Sequence, residues 1–327
     1  MALVIQPATR ARAKADVPLA VVRGGKRDGH LLVHTVATPD SEQLITLSPP
    51  EVFELIPESR PGMRSVMHVV GPSGVGKSSV AAGFMRNFQL QWPEGRILVI
   101  SSVCDPDPAY EGIEHTRVPI DEELPLVTMA EIAATSNGSP SCLVFDDVEG
   151  LPKKRQEALR IFQQHALEVG RKLHLHCLNI FHRCASGKST SSSLSESNSI
   201  IYFPANPTSN LDYALKAHLG IDKVVRQVLK DGFGRWVQLR VDSAPSVVVG
   251  EQRAAIWDPD AIAAALKKLN YKERAIATAE IRRELAEEAA EAHEDPLTDD
   301  IARFSHLRRA AAAAAPTNSR ERILARK

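Results

Sequence analysis

Val66-Met67-His68-Val69-Val70-Gly71-Pro72-Ser73-Gly74-Val75-Gly76-Lys77-Ser78-Ser79-Val80 changes character twice. The first five residues form an apolar run of strand length, bounded by glycine and proline. From Val80 onward, Val80, Phe84 and Phe88 repeat at helical spacing. Between them, Gly71 to Ser78 fits G-x-x-x-x-G-K-[ST] in full. The glycines let the backbone curl until successive N–H groups point at one anion. Lys77 brings a cation for phosphate oxygens, Ser78 a hydroxyl for Mg²⁺, and the helix start a favourable dipole. Gly71, Pro72, Ser73, Gly74, Val75, Gly76, Lys77, Ser78 and Ser79 are therefore expected to bind a nucleoside triphosphate, with ATP and Mg²⁺ as ligands. A glycine-rich turn of no function is the bland alternative, and the strand before and helix after argue against it.

Downstream, Arg96–Ser101 (RILVIS) and Ser141–Asp146 (SCLVFD) read as buried strands, Leu173–Phe181 as a fourth and Ile200–Phe203 as a fifth. Ala158, Leu159, Phe162, Ala166 and Val169 form one helical face, with Pro152 at a first helical position and Gly170 as its C′ residue. Strands alternating with helices predict an α/β fold, a mostly parallel, doubly wound sheet with helices on both faces. Trp236–Val241, Ser246–Val249 and Ala254–Trp257 are expected as closing strands, after helices over 211–219 and 223–229. Asp146, at the end of an apolar strand, is the expected partner of Ser78 on Mg²⁺. Asp147 is the candidate base for an attacking water; capping of the next helix is its bland alternative.

With 327 residues, 43% of them hydrophobic, the chain has room for one sizeable α/β domain and appendages. Aromatics at 5% argue against a stacking platform for single-stranded nucleic acid. Zero formal net charge predicts no polyanion partner in bulk. Four cysteines in mostly apolar runs suit a reducing compartment, and neither a signal-peptide core nor a membrane span is expected. Residues 1–60 read as an N-terminal arm and small strand region, 61–257 as the P-loop domain, and 258–327 as a charged helical extension. Within the arm, Arg10, Arg12, Lys14, Arg23, Lys26 and Arg27 against Asp16 and Asp28 suggest a loose basic stretch over 1–30. Residues 189–199 are serine-rich and read as a mobile loop.

Two patterns are decoys. Gly187-Lys188-Ser189-Thr190 lacks the first glycine of a phosphate loop, since position 182 is His182. His174, His176, Cys177, His182 and Cys184 suggest zinc only until alternation is considered, because Cys177 points away from the face His174 and His176 share.

The phosphate loop also fits guanylate-kinase-like phosphotransferases, so a nucleotide kinase is one rival, and a non-catalytic P-loop assembly protein is another. The acidic strand ends 69 residues after Lys77 (146 − 77), which leaves room for an intervening strand, as in ATPases that activate water. In order, MHVVGPSGVGKSSV (67–80), RILVIS (96–101), CLVFDDVEG (142–150), GRKLHLHCLNIFHR (170–183), SNSIIYFPA (197–205), YALKAHLGID (213–222) and RWVQLRVDSAPSVVV (235–249) resemble the viral genome-packaging ATPases of the FtsK–HerA superfamily. The resemblance covers residues 64–257. It implies ATP hydrolysis coupled to translocation of double-stranded DNA, sequence-independent grip, a homo-oligomeric ring, a capsid or portal-vertex partner, and residence in host cytoplasm, viral factory or virion. It also implies a γ-phosphate sensor after the fourth strand, for which Asn179 and His182 are the candidates. An arginine acting on the neighbouring subunit is implied as well, with Arg171 and Arg183 as candidates. Arg10, Arg12, Lys14 and Lys188 are candidate DNA contacts. Asp146-Asp147 departs from the Asp-Glu of many relatives.

Overall fold

A computed structural model describes residues 1–257 except 10–15, 104–106, 122, 125–126, 128, 135–137, 185–192, 206–210, 212–214, 217–228, 230–231, 241 and 243–245. The expected helices over 211–219 and 223–229 fall mostly outside the described residues, as do Arg10, Arg12, Lys14, Lys188 and the whole of 258–327.

Fourteen strands and three helices are described. β1 (Ala2–Gln6), β2 (Val17–Arg23), β3 (Leu31–Thr35), β4 (Leu44–Thr46) and β5 (Val52–Leu55) precede β6 (Val66–Val70) and α1 (Lys77–Gln91). Then come β7 (Arg96–Ser101), a 3₁₀ turn (Pro108–Tyr110), β8 (Thr116–Val118), α2 (Met129–Ala134), β9 (Ser141–Asp146), α3 (Lys153–Val169) and β10 (Leu175–Phe181). β11 (Ser199–Tyr202), β12 (Val237–Arg240), β13 (Val247–Gly250) and β14 (Arg253–Ile256) close the series.

Ten strands form one sheet in the order β4-β14-β13-β12-β11-β6-β10-β9-β7-β8. The half from β11 to β8 is parallel and the half from β12 to β4 antiparallel. β10 stands between β6 and β9 in the sheet, so an extra strand separates the two motif strands, while β7 and β8 fill the stretch of chain between α1 and β9. Alternation sorts the parallel strands onto two faces. Met67, Val69, Val99, Val144, Leu178 and Ile180 pack with Phe84 and Phe88 of α1. Val66, Leu98, Leu143, Phe145, Cys177 and Phe181 pack with Leu159, Phe162 and Ala166 of α3. The doubly wound sheet is thus covered on both faces, and both phosphate-loop and acidic-strand residues lie at its carboxyl edge.

Three expectations are corrected. Where they are described, residues 1–30 are not a loose arm: β1, β3, β2 and β5 pair antiparallel in that order as a second sheet. Leu3, Leu19, Ala20 and Val22 join the core around α1, so this sheet belongs to the same compact unit as the large one. Arg23 holds both Glu54 and Asn87, at 2.9 and 2.5 Å, so its charge is spent on fixing β5 to α1. Gly83 on α1 leaves room for Glu54, which a Cβ would meet at 2.7 Å. The serine-rich stretch is not a mobile loop where it is described: Ser193, Leu194 and Ser197 are buried, and the Ser197 hydroxyl donates to the Ser193 carbonyl at 2.6 Å. Gly170 is the C-cap of α3 with right-handed φ −59°, not a left-handed C′ residue. It is glycine for space, because a Cβ would meet the Arg64 guanidinium. That buried guanidinium donates to the Ala166 carbonyl at 2.9 Å and to the Leu167 carbonyl, putting a cation on the negative end of α3.

Candidate functional site

The loop from Gly71 to Gly76 joins β6 to α1. Gly74 and Gly76 have φ of 78° and 102°, where a side chain would be strained, and Gly76 is the N-cap of α1. Gly71 is glycine for another reason: a Cβ there would meet the Phe203 ring at 2.8 Å and Val75 at 2.9 Å. Phe203, just past β11, is therefore the floor of the loop. α1 carries no acid in its first turn, so its N-terminal N–H groups remain suited to an anion.

Lys77 is the first residue of α1 and is buried. Its Nζ donates to the Pro72 carbonyl at 2.9 Å, which curls the side chain back along the loop. Burial lowers its pKa, opposed by the nearby charges of Asp147, Asp146 and Glu149. Nζ also lies 3.3 Å from His182 Nδ1, and His182 Nε2 lies 3.0 Å from Asp147 Oδ1. An ammonium only donates and a carboxylate only accepts. Nδ1 is therefore the acceptor and the ring proton sits on Nε2. The His182 backbone N–H donates to Glu149 Oε2 at 2.9 Å.

Asp146 ends β9 on the α1 face and is buried. Burial raises its pKa, and a bond from Tyr110 pulls it back down. The Tyr110 hydroxyl donates to Asp146 Oδ2 at 2.5 Å and lies beside the Ser78 hydroxyl. Asp147, one residue on, has φ 48°, and its carbonyl accepts from the Ser102 hydroxyl. Among the described residues no three His, Cys, Asp or Glu side chains could together hold a metal. The donor set at Ser78 and Asp146 instead suits Mg²⁺, which takes one or two protein oxygens and fills its sphere with phosphate oxygens and water.

An apolar strand feeding a loop of left-handed glycines, a buried lysine heading the next helix and an acid at the end of a second parallel strand now stand together. The chain is a P-loop NTPase by fold.

Two cavities flank this P-loop site. One, of about 220 Å³, borders Gly76, Ser79, Phe203, Trp236 and Arg235, with β5 on its far side. The other, of about 590 Å³, lies toward α3 between Glu149, Gln156, Arg160, His182 and Arg183.

The other candidates separate. Asn179 is fully buried on the α3 face, where its Oδ1 accepts from Gln163 Nε2 at 2.6 Å, so it faces away from the phosphate loop and cannot sense a phosphate there. Arg183 is exposed at the carboxyl edge, just after β10. Arg171 is exposed before β10, at the opposite edge of the sheet. Of the decoy residues, His176 packs against Phe88 and Trp92 and accepts from the Ser65 N–H at 3.1 Å, while Cys177 lies in the core of the other face. Tyr110, Phe203 and Glu149's bond to His182 are the features that sequence reasoning missed. A Pro-Asp turn signal precedes Tyr110, but nothing in the spacing says where its ring points.

No family model matches the sequence. It is similar to an uncharacterized protein, V3, of Sputnik virophage, 24% identical over 230 residues, covering 69% of this chain and 90% of that one. Among solved structures it is similar to B204, the DNA-packaging ATPase from Sulfolobus turreted icosahedral virus (12% identity, 58% of this chain and 98% of that one, TM-score 0.40). It is also similar to the genome packaging NTPase B204 from Sulfolobus turreted icosahedral virus 2 in complex with ATP-gammaS (12%, 57% and 96%, 0.38). A third is the pCW3 conjugation coupling protein TcpA with ATPgS (13%, 78% and 82%, 0.39). No described helix is long and apolar enough to cross a membrane.

Proposed function

We propose that this chain hydrolyses ATP at Gly71–Ser78 and uses the cycle to drive double-stranded DNA into a viral capsid. It acts as a ring-shaped homo-oligomer with a capsid or portal-vertex partner. The observation that carries hydrolysis is the link Lys77–His182–Asp147, at 3.3 and 3.0 Å. It joins the phosphate lysine to an acid able to orient water, which favours water over a second nucleotide as acceptor.

Each residue then has a task. The loop N–H groups and Lys77 hold the β and γ oxygens. Ser78 and Asp146 would hold Mg²⁺, whose charge neutralises that developing on the phosphates. Asp147 takes a proton from the attacking water. A γ-phosphate reaching Lys77 draws Nζ off His182 Nδ1, so His182 is the sensor that passes occupancy on to Asp147 and Glu149. The cavity beside Ser79 and Phe203 receives the nucleoside. Arg183, at the carboxyl edge, is the stronger candidate to complete a neighbour's site, with Arg171 the weaker. DNA packaging is supported by the ordered motifs, and a similar protein in a virophage agrees with a viral setting.

The test is ATP turnover with and without long duplex DNA over a salt series, with Lys77→Ala as control. Lys77→Ala should fold and lose turnover. DNA should stimulate the wild type, and the stimulation should fade steeply with salt, because phosphate contacts release counterions and lose about 10³–10⁵ in affinity between 50 and 200 mM. Indifference to DNA together with phosphate transfer to a nucleoside monophosphate would make the chain a kinase. A protein that binds ATP without turning it over would make it an assembly factor.

A further inference from the structure

Asp146 is a buried carboxylate, yet the sequence around it offers no side-chain donor. The donor comes from 36 residues upstream: the Tyr110 hydroxyl, 2.5 Å from Asp146 Oδ2. Tyr110 is only 4% exposed, and its phenol also borders the Ser78 hydroxyl, so it stands between the two residues assigned to the cation.

We propose that Tyr110 is a positioning residue of the metal site, tying up one oxygen of Asp146 and leaving Oδ1 turned toward the cation or its water. This rests on the ATP and Mg²⁺ reading above. An aspartate carboxylate rotates in a broad, shallow well about its last torsion, and a short O–H···O⁻ bond is among the stronger restraints available to it. The restraint needs a rigid anchor, and Tyr110 has one. It ends the 3₁₀ turn Pro108–Tyr110, where Asp107 Oδ1 accepts from Ala109 N–H at 2.8 Å and the Asp107 carbonyl from Tyr110 N–H at 3.0 Å. The Ile113 N–H closes the far side on the Tyr110 carbonyl at 3.1 Å. A phenol suits the task because its hydroxyl is a donor in the neutral form and its ring fills the buried space around it. If Tyr110 were core filling only, phenylalanine would do as well; the hydroxyl is what separates the two.

Tyr110→Phe removes that hydroxyl and keeps the ring. The first readout is Mn²⁺ binding, followed by electron paramagnetic resonance, in the presence of a non-hydrolysable ATP analogue. The second is binding of the same analogue in excess chelator. Partners that orient a metal ligand are typically worth about 10–100-fold in metal affinity, so Mn²⁺ should bind about tenfold or more weakly to Tyr110→Phe. Metal-free nucleotide binding should not change. Asp146→Asn separates the failures. If Asp146→Asn weakens Mn²⁺ and Tyr110→Phe does not, the proposal for Tyr110 is overturned while the metal site stands. If Asp146→Asn binds Mn²⁺ like wild type, Asp146 is not a ligand and both readings fall. Should Tyr110→Phe not fold, Asp107→Ala takes its place. Loosening the turn without touching the phenol should weaken Mn²⁺ in the same direction by less, and an unchanged affinity would overturn the proposal.

Discussion

Asp147 is held at φ 48°, a left-handed conformation that costs most side-chain-bearing residues energy and that aspartate and asparagine tolerate best. Its carbonyl is tied to Ser102 and its carboxylate to His182, so the backbone turns sharply right after β9 and aims the side chain back at the phosphate loop. Asp147→Asn should keep this turn and ATP affinity, and lose about 10²–10⁴-fold in turnover, the usual share of a general base. Asp147→Gly should also lose turnover, yet raise stability by about 1 kcal/mol or more as the strain is released. Turnover near wild type in folded Asp147→Asn would move the base role to Glu149, whose carboxylate already accepts from the His182 N–H. At this scale the motif residues were legible because chemistry fixes their types and local spacing: Gly71, Lys77, Ser78 and Asp146 lie at or just beyond the ends of β6 and β9, two apolar runs that local pattern reveals. Tyr110 was not, since its bond to Asp146 spans 36 residues and depends on how the segment after β7 folds back over α1.

Among elements, β6, β7 and β9 have the bounds that their apolar runs announce, Val66–Val70, Arg96–Ser101 and Ser141–Asp146. Strands buried on both faces are legible as continuous apolar runs. β2 is buried along nearly all its length too, but it was hidden by the arginines and lysines around it and by Pro18. Its partners β3 and β5 supply the pairing, and that pairing is not local. The decoy strand β10 shows what its histidine is for. His176 is 1% exposed between Phe88 and Trp92, and burial, chiefly, lowers its pKa from 6.5 to about 3. Between those two values the unfolded chain binds a proton that the native chain refuses. Stability from this group is therefore complete above pH 6.5 and falls on acidification, by up to about 1.4 kcal/mol per pH unit. Glu58, whose pKa is lowered to about 2 by Arg60 and Arg240 against the cost of its burial, takes effect only below about 4.5. Denaturant unfolding at pH 7 and pH 5 should thus show a loss in wild type that is smaller in His176→Gln, which can still accept from Ser65. Equal losses in the two proteins would mean that His176 is protonated inside the fold.

For the whole molecule, the question is whether the N-terminal sheet is an accessory or part of the ATPase itself. Leu3, Leu19, Val22, Leu32, Phe53 and Leu55 share one core with Phe84, Met85 and Phe88 of α1 and with the inner face of the large sheet. The Arg23–Glu54–Asn87 network and the Asn87 bond to the Leu55 carbonyl at 3.0 Å hold β5 against that helix. β4 adds a strand to the edge of the large sheet beside β14. Burying each large apolar side chain is worth about 1.5–3 kcal/mol, and a domain's whole margin is only about 5–15 kcal/mol. Cutting away residues 1–57 should therefore leave a chain that does not fold, because α1 would lose the surface that covers it, and with α1 the phosphate loop would lose its base. Removing 301–327, a segment with seven basic residues against one acid and little apolar periodicity, should instead leave ATP turnover nearly unchanged. Circular dichroism, thermal melting and nucleotide binding on the two truncations decide between these outcomes. A folded, ATP-binding chain beginning at residue 58 would make the N-terminal sheet an appendage after all. Loss of folding on removing 301–327 would mean that the basic tail is needed by the domain rather than by a partner.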